Sequence, residues 1–99
     1  MRPRKPKGKD YVLRLYIAGT SSKSVRAVAN IKEICNKNLA NRFDLEVIDI
    51  YQQPALAEEV QVIAAPTLVK QLPLPSRKFV GDMSNTDRIL VGLEIKAAN

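Results

Sequence analysis

Hydrophobic spacing changes period twice within the first half of this chain, and that change limits the fold more than any single residue. From Tyr11 to Ala18 the residues alternate, Val12, Arg14 and Tyr16 against Leu13, Leu15 and Ile17, as on a strand with one face richer in apolar groups. Gly19 ends the run. Val25, Val28, Ile31, Cys35 and Leu39 then recur at three- and four-residue steps, the spacing of a helix with one buried stripe. Ser21 or Ser22 can cap that helix, because a hydroxyl oxygen accepts from a free first-turn N–H. Asn36, Asn38 and Asn41 mark its end. Alternation returns at Phe43, Leu45 and Val47 and extends through Ile48 and Ile50. Val47 and Ile48, adjacent and both apolar, suggest burial on two faces, as in a central parallel strand. Strand, helix and strand make a βαβ unit, which crosses over right-handed.

The second half changes pattern. Pro54 suits a first helical turn, with Glu58 and Glu59 near its positive end and Leu56, Val60 and Ile63 at helical spacing. That helix must stop before Pro66, which pushes Ala65 out of the helical region. Thr67 to Lys70 and Lys78 to Val80 read as short strands around the proline-rich turn LPLPSR. Ser84 followed by Asp87 reads as a capping box for a last helix with Ile89, Leu90 and Leu93 on one face. The predicted fold class is therefore α/β and thioredoxin-like: βαβ, helix, β-hairpin, helix, a mixed sheet covered on both faces. That fold carries a proline just ahead of its first hairpin strand, and Pro66 stands there.

The 99 residues support one core and one domain, residues 10–99. Five cations, Arg2, Arg4, Lys5, Lys7 and Lys9, precede it in a stretch with Pro3, Pro6 and Gly8, which reads as a basic disordered arm, residues 1–9. The other 11 basic side chains nearly balance the 10 acidic ones, so the net charge of +6 belongs mostly to the arm. A basic arm can touch nucleic acid. Against that role, the body is close to neutral, and Tyr11, Tyr16, Phe43 and Phe79 lie in strands that read as core. No apolar run is long enough to span a membrane or serve as a secretory signal, so the expected location is cytoplasmic.

Chemistry is narrowed by what is missing. One cysteine and no histidine exclude an intrachain disulfide, a Cys-plus-His zinc site and the Ser-His-Asp and Cys-His arrangements. Cys35 falls within the helical stripe, as a buried structural thiol. IAGTSSKS resembles a phosphate-binding loop, but the required glycines would fall on Ile17 and Ser22. In a thioredoxin-like fold this turn is where Cys-x-x-Cys sits at a helix N-terminus; here it reads Gly-Thr-Ser-Ser-Lys-Ser. Neither an enzymatic activity nor a metal or cofactor is expected.

The blocks YVLRLYIAG, SVRA, VIDI, PALAEE, APTLVK and GDMSNTDRILVGLE, in that order over residues 10 to 95, resemble the KaiB family of circadian clock proteins. The resemblance implies a metamorphic, non-enzymatic adaptor with two folds. One is a resting βαββααβ fold in a homo-oligomer, typically a tetramer. The other is a thioredoxin-like monomer that binds the N-terminal ATPase ring of the hexameric kinase-phosphatase KaiC. It further implies competition with the sensor domain of the histidine kinase SasA and a part in sequestering KaiA. In bacteria that lack KaiA, a KaiB-like protein serves stress adaptation instead of a circadian oscillator. By the same resemblance, Tyr11, Gly92 and Glu94 match positions that bias the fold equilibrium, Glu94 replacing an aspartate, while Pro66, Pro73 and Pro75 lie in the segment that must rebuild. Arg14, Arg26, Lys70, Arg77 and Lys78 match basic positions linked to partner binding. Two departures are Pro73-Leu74-Pro75 in place of three prolines, and Glu46 in place of a lysine.

The residues argue for two folds on their own account. Ile89, Leu90 and Leu93 share a helical face, whereas Val91, Leu93 and Ile95 share a strand face. Gly92 inside a helix costs about 1 kcal/mol relative to alanine. That balance predicts that Gly92→Ala, or a basic residue at Glu94, raises the thioredoxin-like population.

Overall fold

The computed structural model describes residues 10–40, 42–55 and 66–94. Its elements are β1 (Tyr11–Ile17), α1 (Ser22–Asn38), β2 (Phe43–Asp49), β3 (Thr67–Leu72), β4 (Arg77–Val80) and α2 (Thr86–Leu93). The described strands form one sheet in the order β2-β1-β3-β4. β1 and β2 are parallel, from Tyr11 opposite Phe43 to Ile17 opposite Asp49. β3 runs antiparallel to β1 and to β4. The βαβ unit and the hairpin thus stand as the sequence predicts. The helix expected from Pro54 onward runs into residues 56–65, outside the described residues, as do the arm at 1–9 and Ile95. Peptide bonds Leu72–Pro73 and Leu74–Pro75 are cis.

Both described helices cover the same face of the sheet. Leu13 and Leu15 of β1, Leu68 of β3 and Phe79 of β4 meet Ala27, Ile31, Ile34 and Cys35 of α1 and Ile89 and Leu93 of α2 in one buried cluster. Each fully buried leucine or isoleucine contributes about 1.5–3 kcal/mol. The opposite face carries a smaller cluster of Tyr16, Ile48 and Val69. No helix among the described residues is long and apolar enough to cross a membrane.

Three local expectations are corrected. Val25 does not join the α1 stripe: it is 58% exposed, and Ser24 is buried instead. Counting back from Ile31, the inward positions of a 3.6-residue helix are 27 and 24, so residue 25 turns outward. β2 is not central but an edge strand of the described sheet, with Val47 38% exposed. The cap of α2 is Asn85, not Ser84: the Arg88 N–H donates to Asn85 Oδ1 at 3.1 Å. Ser84 is engaged elsewhere, because its hydroxyl and its N–H both bond to Asp82.

Cys35 is fully buried, and desolvation pushes its thiol from 9.0 up to about 12. Because the folded value is raised, this thiol supports the fold below pH 9.0, and its support is lost between 9.0 and about 12 as the unfolded thiol ionises. Iodoacetamide at pH 8 is expected to leave Cys35 unmodified in the folded chain and to label it fully in denaturant, as read by mass spectrometry. Full labelling without denaturant would contradict the burial.

Candidate functional site

The turn after β1 binds its own backbone. Gly19 has φ of 68°, and a Cβ there would lie 3.3 Å from the Tyr51 ring, so glycine suits both the angle and the approach. Its N–H donates to Asp49 Oδ1 at 3.2 Å, and the Tyr51 N–H donates to the same oxygen at 2.9 Å. Ser21 caps α1, its Oγ accepting from the Ser24 N–H at 3.2 Å, while Ser24 Oγ accepts from the Ala18 N–H at 3.3 Å. The hydroxyls of this turn therefore satisfy a helix start and a strand end. Pro66 is fully buried at the same end of the sheet, and its carbonyl accepts from the Gly81 N–H at 2.9 Å. Its preceding peptide involves Ala65, outside the described residues.

Of the residues matched to fold balance, Tyr11 and Glu94 meet at the other end. Tyr11 is 7% exposed, and its hydroxyl donates to the Glu94 carbonyl at 3.3 Å. Desolvation raises the Tyr11 phenol above its ordinary value; Arg42 opposes this, and Glu94 and Asp10 add to it. Glu94 ends α2 in the left-handed region, φ 59°. A β-carbon is disfavoured there, and a carboxylate faces the negative end of the helix. Gly92 packs directly under Phe79: a Cβ built on it would collide with the ring edge. The simple expectation for Gly92→Ala is thereby corrected. About 1 kcal/mol of helix preference is set against an overpacking cost of about 1–3 kcal/mol.

The five cations do not form one patch. Arg14 pairs with Glu46 across β1 and β2, Nε to Oε1 3.3 Å, and is 29% exposed. Arg26 on α1 reaches Asp82 at 3.6 Å, whose carboxyl is held below its usual range by the Ser84 hydroxyl and N–H and then by Arg26. Arg77 and Lys78 are exposed on β4. They line a groove of about 540 Å³ with Arg88, Asp87, Val91 and Gly92, floored by Phe79. Lys70 is a surprise: the side chain expected at the surface is fully buried. Sequence reading missed Arg88. The signal was available, since Arg88, Val91 and Gly92 follow three- and four-residue helical spacing.

Chemically, this arrangement suits docking. Three cations and one carboxylate surround an open groove with Val91 76% exposed, which fits an acidic surface with an apolar contact. Among the described residues no cluster of histidine, cysteine, aspartate and glutamate could hold a metal ion.

Known proteins match this chain in sequence and in fold. The KaiB domain model matches residues 14–95. Over 84 residues, 85% of this chain and 82% of the relative, the sequence is 50% identical to the circadian clock protein KaiB3 of Synechocystis. It is 46% identical to the circadian clock oscillator protein KaiB of Trichodesmium erythraeum, over 91% of this chain and 86% of that one. In structure it resembles the N-terminal domain of Synechococcus elongatus SasA, with TM-score 0.72 and 26% identity over 94% and 88% of the two chains. Mitochondrial thioredoxin 3 of Saccharomyces cerevisiae, TM-score 0.70 and 18% identity over 89% and 80%, shares the fold alone. With a thioredoxin-like fold, a KaiB domain over most of its length and 50% identity to a clock protein over 84 residues, the chain belongs to the KaiB family.

Proposed function

We propose that this protein is a non-enzymatic adaptor that docks, in its thioredoxin-like fold, onto the N-terminal ATPase ring of a KaiC-type hexamer, and that it exchanges between this fold and a second, self-associated one. One observation carries the reading: a chain of the KaiB family adopts the architecture of the SasA N-terminal domain. Two proteins with one outline are suited to compete for one surface. Arg77 and Lys78, with Arg88, would meet acidic groups on the ring. Arg14 and Arg26 already hold carboxylates and would contribute less. Tyr11, Pro66, Gly92 and Glu94 would set the balance between folds. A SasA-type sensor domain is the expected competitor.

The fold balance is testable at Glu94. Glu94→Gly relieves the left-handed strain, and Glu94→Arg places a cation at the negative helix end; each is expected to favour this fold by about 1 kcal/mol. That is a roughly fivefold rise in its population, since about 1.4 kcal/mol is tenfold. Amide NMR peak volumes of the two slowly exchanging forms measure it. A single unaltered set of resonances in the wild type and both variants would reject the two-fold reading.

A further inference from the structure

We infer that Lys70 acts as an internal load on the thioredoxin-like fold, and that replacing it with an apolar side chain of similar shape makes this fold more stable. Lys70 sits in the middle of β3, where its partners are Leu13 on β1 and Arg77 on β4. Strand alternation puts it with Leu68, on the sheet face that carries Leu13, Leu15 and Phe79. Its exposure is 0%, and Nζ is shielded from solvent with no hydrogen-bond partner among the described residues.

A lysine buried in this way loses the hydration of its amine and gains no acceptor in return among the described residues. Its four-carbon stem can pack as well as any aliphatic chain. The unfavourable part is the head group alone. Methionine keeps the length and flexibility of the stem and removes the amine. Removing the amine breaks no hydrogen bond among the described residues, so the usual penalty for such a substitution does not arise there. Charge at this position is therefore not presented to a partner; the residue acts through the energy of the fold. The contact cations of the proposed function are instead the exposed ones that line the β4–α2 groove.

The consequence for binding rests on the proposed function. If only this fold docks, apparent affinity scales with its population. Lys70→Met should then tighten docking, whereas loss of a contact cation would weaken it. The two roles differ in sign.

The test is urea unfolding of the full-length chain, with amide NMR and binding to a KaiC-type N-terminal ring. Lys70→Met and Lys70→Leu are expected to raise the urea midpoint above wild type, while Lys32→Met, the same change at an exposed position on α1, leaves it unchanged. Lys70→Met is also expected to raise the share of the thioredoxin-like resonances and tighten apparent ring affinity at least threefold. A raised midpoint with one set of resonances in wild type and variant would support the load at Lys70 while rejecting the two-fold reading. An unchanged or lowered midpoint in both Lys70 variants would overturn the inference.

Discussion

Phe79→Ala is expected to cost the thioredoxin-like fold about 3–5 kcal/mol, the range for truncating a buried aromatic side chain. A domain of this size has about 5–15 kcal/mol in total, so this one change removes about a fifth of the stability or more. Phe79 is 6% exposed and belongs to the cluster that joins β1 and β3 to both helices. It also lies against Gly92 on α2. Truncation therefore empties the core and removes the floor of the docking groove together. Urea unfolding followed by circular dichroism should show the midpoint collapse, and ring binding should fall with the folded population. Phe79→Leu is the milder companion. In that background Gly92→Ala should stabilise the fold by about 1 kcal/mol, its helix-preference gain. In the wild-type background it should gain nothing, because the new Cβ meets the ring. Equal effects of Gly92→Ala in both backgrounds would show that the ring does not restrict position 92.

Reversing charge on β4 is the second large effect. Arg77→Glu combined with Lys78→Glu changes the groove from three cations and one carboxylate to one cation and three carboxylates. Both side chains are exposed, so the change should leave the urea midpoint close to wild type. Docking should suffer in its association rate, because complementary charge speeds encounter and like charge repels. A loss of roughly 100-fold in affinity at low salt is expected, about 2.7 kcal/mol. The deficit should shrink at 0.5 M salt, where screening shortens the reach of exposed charges. Stopped-flow association at two salt concentrations measures this. A deficit that ignores salt would place the ring contact elsewhere on the surface. Comparison with Lys70→Met sharpens the result, since one cation is expected to be needed at the interface and the other to oppose the fold.

Much of the architecture was legible because spacing alone carries it. The shift from alternation to helical period at Gly19, and back at Phe43, specifies β1, α1 and β2 almost to the residue. What spacing could not carry was competition for the same atoms. Ser84 and Asn85 are both good caps by type; Asn85 takes the cap, and the Ser84 N–H bonds to Asp82. Val25 fits a three- and four-residue ladder as well as Ser24 does, but Ser24 is held inward by the Ala18 N–H. The edge position of β2 depends on which side of β1 the hairpin joins, a question that Val47 and Ile48 do not answer.

At the candidate site the limits were similar. Arg77 and Lys78 read as exposed cations and are exposed. Lys70 reads the same way, because a lysine in a strand ordinarily marks the solvent face, and here register sets it on the helix-covered face instead. Gly92 reads as a weak helix residue, and its contact with Phe79 depends on a residue thirteen positions away. The collection of Tyr11 and Glu94 at one end of the molecule is a product of the fold, with 83 positions between them.

The docking claim itself is tested most directly by size-exclusion chromatography of the full-length chain with a KaiC-type hexamer and ATP, after incubation for hours. A slowly populated competent fold predicts a large ring complex that grows with incubation time and forms sooner with Glu94→Arg. A chain that still elutes alone after that incubation, with the Glu94 variant behaving identically, would contradict the proposed function.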